Sequence, residues 1–183
     1  RSTSSAASDV YKRQLYAFDI SAKRLERLKP RLKRSGLSNV QTQLIGSEKD
    51  PRIQRLAGKI DRVLIDAPCS GLGTLRRNPD MKWRQAETDI VSMTDKQLRI
   101  LNSASKLVKK DGLLIYATCS ILRDENESVI ERFMIEHQGK FELIDAAKSL
   151  GIEGIDSSNT PYLKLLPNTH GCDGFFSAIL KAI

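Results

Sequence analysis

The sequence predicts an α/β fold with parallel strands, and two observations carry that prediction. Residues 63–65, within a strand expected over 60–67, and residues 113–117 are short, continuous apolar runs, the pattern of strands buried on both faces of a parallel sheet. One strong helical stretch lies between them, so the unit reads as βαβ, with strands that can neighbour each other about 4.8 Å apart. Each run is followed closely by a cysteine, Cys69 in one case and Cys119 in the other. Open α/β sheets bind ligands beyond the carboxyl ends of their strands. Two thiols fifty positions apart in sequence would then face one pocket, which points to thiol chemistry rather than packing.

The other elements follow in order. Residues 1–14 are a small-residue, low-complexity stretch without a core-forming pattern, read as artefactual or disordered. The folded logic begins at Leu15, so residues 15–183 form one partial domain. Residues 15–20 read as a strand ending near Asp19. Ser21 suits the cap of a basic helix over 22–35, with Gly36 as its stop. Pro30 inside that helix predicts a kink or break. A weaker strand is expected over 40–45, and a loop with a short helical turn over 48–59. Residues 71–85 read as a long loop punctuated by Gly71, Gly73 and Pro79. Thr94-Asp95-Lys96-Gln97 matches a capping box. The helix it opens should carry Leu98, Leu101, Ala104, Leu107 and Val108 on one face and end at Asp111-Gly112. An amphipathic helix over 125–136 and two late strands, near 141–144 and 175–180, complete the reading.

Bulk properties narrow the function classes. At 183 residues the chain can bury a real core. No apolar run approaches the roughly 18 residues of a membrane span, and no secretory signal is visible. Three widely spaced cysteines argue against a disulfide framework and fit a reducing, cytoplasmic setting. The net charge of +8 fits a polyanionic partner, most simply nucleic acid, or a solvated lysine and arginine face. Cys172 near His170 lacks any paired ligand spacing, so no metal is expected.

Several side chains stand out at strand ends. Asp19 is placed to accept hydrogen bonds from ribose hydroxyls, or else to favour a helix N-terminus. Asp66-Ala67-Pro68-Cys69-Ser70-Gly71 joins a carboxylate, a rigid proline and a thiol, poor choices for stability alone. The segment from Arg76 to Arg84 sets Arg76, Arg77, Lys82 and Arg84 around Trp83. Cations there can hold phosphates while the indole stacks on a base. The alternative is a solvated loop anchored by Trp83 in the core.

These motifs resemble a known family. Residues 61–71, then Arg76-Arg77-Asn78-Pro79-Asp80 with Lys82-Trp83, are similar to the RNA cytosine-5 methyltransferases, most of all the bacterial Sun/Fmu (RsmB) type that modifies 16S ribosomal RNA. Thr118-Cys119-Ser120 with Glu125-Asn126 resembles the family's second cysteine motif. Leu165-Leu166-Pro167 and Asp173-Gly174-Phe175-Phe176 resemble its C-terminal motif. The resemblance implies a Rossmann-like fold dependent on S-adenosyl-L-methionine. It makes Cys119 the nucleophile, Cys69 the residue that assists product release, and Asp66 a partner of the cytosine edge or of the nearby cofactor. Asp19 and Asp66 would contribute to the cofactor site, and Arg76, Arg77, Lys82, Trp83 and Arg84 would bind RNA. A monomer without membrane or metal partners is implied.

The sequence also departs from the family pattern. Its glycine-rich cofactor loop and first, central strand are missing, as is the helical N-terminal RNA-binding domain. Gly46-Ser47 stands where relatives often carry an acid that contacts adenine. The expectation is an inactive C-terminal fragment of an active parent. A non-catalytic RNA-binding module is the rival from another class. Thr118-Cys119-Ser120 speaks against a DNA cytosine-5 methyltransferase, and the absence of Gly-x-Gly-x-x-Gly against a nicotinamide enzyme.

Overall fold

In the computed structural model, residues 14–83, 86–151 and 160–183 are described. The expected segment 1–14 therefore lies outside them except for Gln14. The chain divides into two units, Arg1–Arg52 and Ile53–Ile183.

In the first unit, β1 (Leu15–Asp19) pairs in parallel with β2 (Val40–Leu44), joined by α1 (Ala22–Ser35). The capping prediction holds at both ends. Ser21 Oγ accepts from the Arg24 amide at 3.4 Å, and Gly36 takes the left-handed conformation at φ 69° that a side chain would resist. The helix runs unbroken through Pro30, contrary to the expected break. Its exposed, arginine- and lysine-rich surface buries no residue, so tolerance for the lost backbone bond is unconstrained by packing.

The second unit carries α2 (Pro51–Gln54, whose first residues lie at the division) and a mixed sheet in the order β3-β4-β7-β5, with β6 also pairing to β7. Its strands are β3 (Ile60–Asp66), β4 (Val108–Thr118), β5 (Phe141–Ile144), β6 (Leu163–Leu165) and β7 (Phe175–Ala182). β3 and β4 are parallel neighbours, as expected, with Asp66 opposite Ala117. β7 runs antiparallel to β4 and β5.

Strand alternation sends Leu114 and Tyr116 to one face, where they pack with Ile65, Phe176 and Leu180. α3 (Glu87–Ser105) and α4 (Glu127–Glu136) cover that face with Leu98, Leu101, Val129, Ile130 and Phe133. The opposite face holds a smaller cluster of Ala146, Leu163 and Ile179, supported by Leu113 and Ile115. Ala146 opens α5 (Ala146–Leu150), and α6 (Pro167–His170) precedes β7.

Four expectations need correction. β3 is not buried on both faces: it lies at one end of this sheet, and Leu64 is 68% exposed. The helix before β4 begins at Glu87, not Thr94, and ends at Ser105, with Leu107 and Val108 already leading into β4. Thr94 is mid-helix, where its hydroxyl donates to the Val91 carbonyl at 2.8 Å instead of capping anything. The opening is marked by Asp89, whose carboxylate accepts the Ala86 amide at 3.2 Å. Asp111-Gly112 does not end a helix but interrupts β4, where Asp111 sits at φ 63° beside a register shift. Residues 71–85 are expected as a long loop, and their described part contains two 3₁₀ turns, Leu72–Thr74 and Pro79–Trp83.

Candidate active site

Parallel pairing brings the two cysteine turns to the same level. β3 and β4 end opposite each other, and the Ala67 amide donates to the Ala117 carbonyl at 2.9 Å, carrying the register one residue further. Pro68 then turns the first chain, and Cys69 Sγ lies 3.3 Å from Cys119 Sγ. Both thiols are half-buried and unbridged. Asp66, at the exposed end of β3, receives no hydrogen bond from the described residues.

The paired thiols divide one proton affinity unequally. Cys119 is lowered to about 7, chiefly by the hydrogen bond from Cys69, against burial and the carboxylates of Asp66 and Glu125. Cys69 is raised by the same hydrogen bond and then by burial. At this separation either sulfur can donate to the other, and the lowered direction at Cys119 fits a thiolate there beside a Cys69 thiol. A thiolate near neutral pH is a nucleophile; a neighbouring thiol is a proton donor. Removing Cys69 removes the largest stabiliser of that thiolate. We expect Cys69→Ala to raise the pH midpoint of Cys119 alkylation, followed peptide by peptide with iodoacetamide. An unchanged midpoint would mean that Cys69 does not set it.

Behind the thiols lies a buried polar cluster that sequence reasoning missed as a site. Glu125 and Asn126 are fully buried. Glu125 Oε2 accepts from Ser70 Oγ and Ser120 Oγ, both at 2.5 Å, and its Oε1 accepts from the Ser70 amide at 2.8 Å. Gln97, assigned above to a cap, instead donates through Nε2 to Glu125 Oε1 at 3.1 Å and to the Pro68 carbonyl at 2.8 Å. Thr118 donates to Asn126 Oδ1 at 2.6 Å, and Asn126 Nδ2 donates to the Ser120 carbonyl at 3.0 Å. Tyr116, its phenol raised by burial and then by Glu125, donates to the Glu125 carbonyl at 2.7 Å. A repeated Cys-Ser dipeptide, at 69–70 and 119–120, was the available sequence signal.

The remaining candidates divide. Asp19, at the end of β1, accepts the Ser21 amide at 2.8 Å and faces Arg24 at 3.6 Å, so it supports the start of α1. One oxygen is engaged by the amide, and the other has only a long, exposed ion pair. In the loop beyond Gly46, Asp50 accepts the Gly46 amide at 3.0 Å and is gripped by Arg52. The Arg52 hydrogen bonds hold its carboxyl well below the usual range.

Arg76 and Arg77 do not simply extend into solvent. Arg76 donates to the Gly171 carbonyl at 2.9 Å, and Arg77 pairs with Asp173, tying their segment to the residues before β7. Trp83 is 81% exposed, which excludes the core-anchor alternative. The Lys82 ammonium lies 4.6 Å from the centre of its ring. Arg84 falls outside the described residues. Among those residues no group of His, Cys, Asp and Glu could hold a metal ion, and no helix is long and apolar enough to cross a membrane.

Comparison with known proteins places this geometry. The family described as "16S rRNA methyltransferase RsmB/F" matches residues 4–181. The chain belongs to that family. A ribosomal RNA small subunit methyltransferase B from Photorhabdus laumondii is 39% identical over 167 residues, which cover 91% of this chain and 36% of the relative. The crystal structure of PH0851 superposes with a TM-score of 0.82 at 36% identity, covering 93% of this chain and 37% of that one. NSun6 from Pyrococcus horikoshii, solved with SFG, gives 0.77 at 26% identity, covering 93% and 42%. The α/β fold of this RsmB/F member is thus that of methyltransferase structures, and the chain spans little more than a third of the curated relative's length.

Proposed function

We propose that the chain is the catalytic part of a longer enzyme that methylates C5 of a cytosine in RNA, 16S ribosomal RNA by family. The observation that carries this reading is the Cys69–Cys119 pair, 3.3 Å apart beyond two neighbouring parallel strands, with the lowered thiol on Cys119. C5 of cytosine is a poor nucleophile until an electron-rich atom adds at C6. The Cys119 thiolate forms a bond to C6, and the displaced ring electrons make C5 nucleophilic. Bound S-adenosyl-L-methionine would supply an electrophilic methyl group on its sulfonium. After C5 is methylated, its hydrogen leaves as a proton to solvent water and the Cys119–C6 bond breaks, its electron pair returning to Cys119 as thiolate and the ring double bond reforming. Cys69, adjacent and protonated, assists this release. Asp66, with an exposed side chain, accepts a hydrogen bond from the amino edge of the cytosine or from the cofactor nearby.

Of the residues that would hold that cofactor, Asp19 ends the parallel strand β1 and has one oxygen, paired only with exposed Arg24, open to a ribose hydroxyl. A target base must be single-stranded or flipped to reach the thiol. The decisive assay uses the full-length protein and 16S ribosomal RNA carrying tritium at cytosine C5. Tritium release that requires both S-adenosyl-L-methionine and Cys119 is expected. RNA binding without release would instead support the non-catalytic module.

The exposed Lys82–Trp83 pair offers RNA a charge and a stacking face. In the full-length protein, Trp83→Ala should cost about 1–3 kcal/mol of RNA affinity with little change in salt slope. Lys82→Ala should reduce the slope by about one counterion. Because Trp83 is exposed, its loss should leave thermal unfolding by circular dichroism nearly unchanged. Equal salt slopes in both variants would remove the assigned division between stacking and charge.

A further inference from the structure

We infer that Glu125 is a positioning residue: its buried carboxylate clamps the two cysteine-bearing turns together and thereby sets how the thiols face each other. The inference concerns the site just proposed, but its evidence is the geometry of the protein alone. Ser70 directly follows Cys69, and Ser120 directly follows Cys119. Both hydroxyls donate to the same oxygen of Glu125 at 2.5 Å. The other oxygen takes the Ser70 amide, and Gln97 bridges from that oxygen to the Pro68 carbonyl. Cys69 is thus held from the residues on both sides of it.

Cys119 is held in the same way. Thr118 before it and the Ser120 carbonyl after it are both bound to Asn126, next to Glu125 in the chain. The parallel strand register alone ends at Asp66 opposite Ala117 and at the following Ala67–Ala117 bond. Beyond that point, one carboxylate oxygen accepts from the residue that follows each thiol, and the two serine hydroxyls it gathers lie 3.3 Å apart. Such convergence costs ordering entropy and buries four polar donors, so a looser arrangement would leave several of them unsatisfied. Fixing two reacting groups in one geometry is how a protein raises their effective concentration.

A clamp and a mere source of negative field predict opposite results. Three groups act on the Cys119 thiol: Cys69, Asp66 and Glu125. The Cys69 hydrogen bond is the largest influence and lowers it, whereas the Glu125 charge raises it and ranks last. If Glu125 acts by positioning, Glu125→Ala lets the turns part, weakens the Cys69 bond, and raises the pH midpoint of Cys119 alkylation by about one unit, toward the ordinary thiol near 8.5. If it acts only through its field, the same change lowers the midpoint.

The measurement uses this 183-residue chain with iodoacetamide and peptide mapping, so neither RNA nor cofactor is needed. Glu125→Gln keeps an acceptor for the Ser70 amide and a donor for the serine hydroxyls, and it should restore the low midpoint. Alkylation of Cys172, which lies outside the cluster, reports unfolding in the same digest. Where Glu125→Ala does not fold, Ser120→Ala carries the test and should also raise the midpoint. A lowered or unchanged midpoint in the folded variant overturns the inference. Absence of methyl transfer in the unsubstituted full-length protein, with the midpoint raised in Glu125→Ala, would instead count against the enzymatic reading and leave the clamp standing.

Discussion

Replacing Cys119 with alanine in the full-length protein should abolish methyl transfer and every covalent attachment to RNA, whereas Cys69→Ala should trap an adduct that survives denaturing gels. The asymmetry follows from the thiol pair. In the proposed mechanism Cys119, whose proton affinity is lowered, attacks as the thiolate, and Cys69, whose affinity is raised, stays a thiol. Loss of the attacker leaves no bond to C6. Loss of the assistant leaves the bond made and slow to break. Alanine at Cys69 also removes the hydrogen bond that favours the Cys119 thiolate, so adduct formation should itself slow at neutral pH and recover as pH rises. That recovery separates a release defect from a failure to attack. An adduct that persists without Cys119 and disappears without Cys69 would exchange the two roles.

The parts of this site that were legible in the sequence are those set by local pattern. The runs ending at Asp66 and Ala117 are apolar, short and bounded by turn residues, so strand type and order follow from them. One helical stretch between them implies parallel pairing, and the two thiols follow from the pairing. What pattern could not show is closure over distance. Glu125 reaches Ser70 across 55 positions and Gln97 across 28. In the sequence each of these polar residues has an ordinary local explanation. Gln97 even fits a capping box, because Thr-x-x-Gln satisfies the local template while the helix has already begun about two turns upstream.

Exposure was equally hidden. An apolar run does not reveal whether its strand has neighbours on both sides, so Leu64 reads as core although it is 68% exposed. Trp83 reads equally well as an anchor or a platform, and only its surroundings separate the two. The same limit applies to Arg76 and Arg77, whose charges suggest phosphate but whose nearest partners are Gly171 and Asp173. Those contacts hold the segment after the first cysteine against the approach to β7, which gives the C-terminal motif a physical role at the site.

Gly73→Ala should show how tightly that segment is held. The Gly73 amide donates to the Cys119 carbonyl at 2.9 Å, and its own carbonyl accepts the Gly174 amide at 2.8 Å. A Cβ on Gly73 would lie 2.6 Å from the Cys119 carbonyl oxygen and would also strike the Gly174 carbonyl. All of these are backbone atoms, which cannot swing aside as a flexible side chain would. Overpacking of this kind costs about 1–3 kcal/mol, to be read from urea unfolding of the chain. The larger consequence is for chemistry, because the displaced backbone is that of Cys119 itself. Misplacement of a reacting group by about 1 Å can cost roughly 100-fold in rate. We therefore expect Gly73→Ala in the full-length protein to remain folded yet lose about two orders of magnitude in methyl transfer, with a raised pH midpoint for Cys119 alkylation. Near-normal transfer with unchanged stability would show that the contact between these turns yields without moving the thiol.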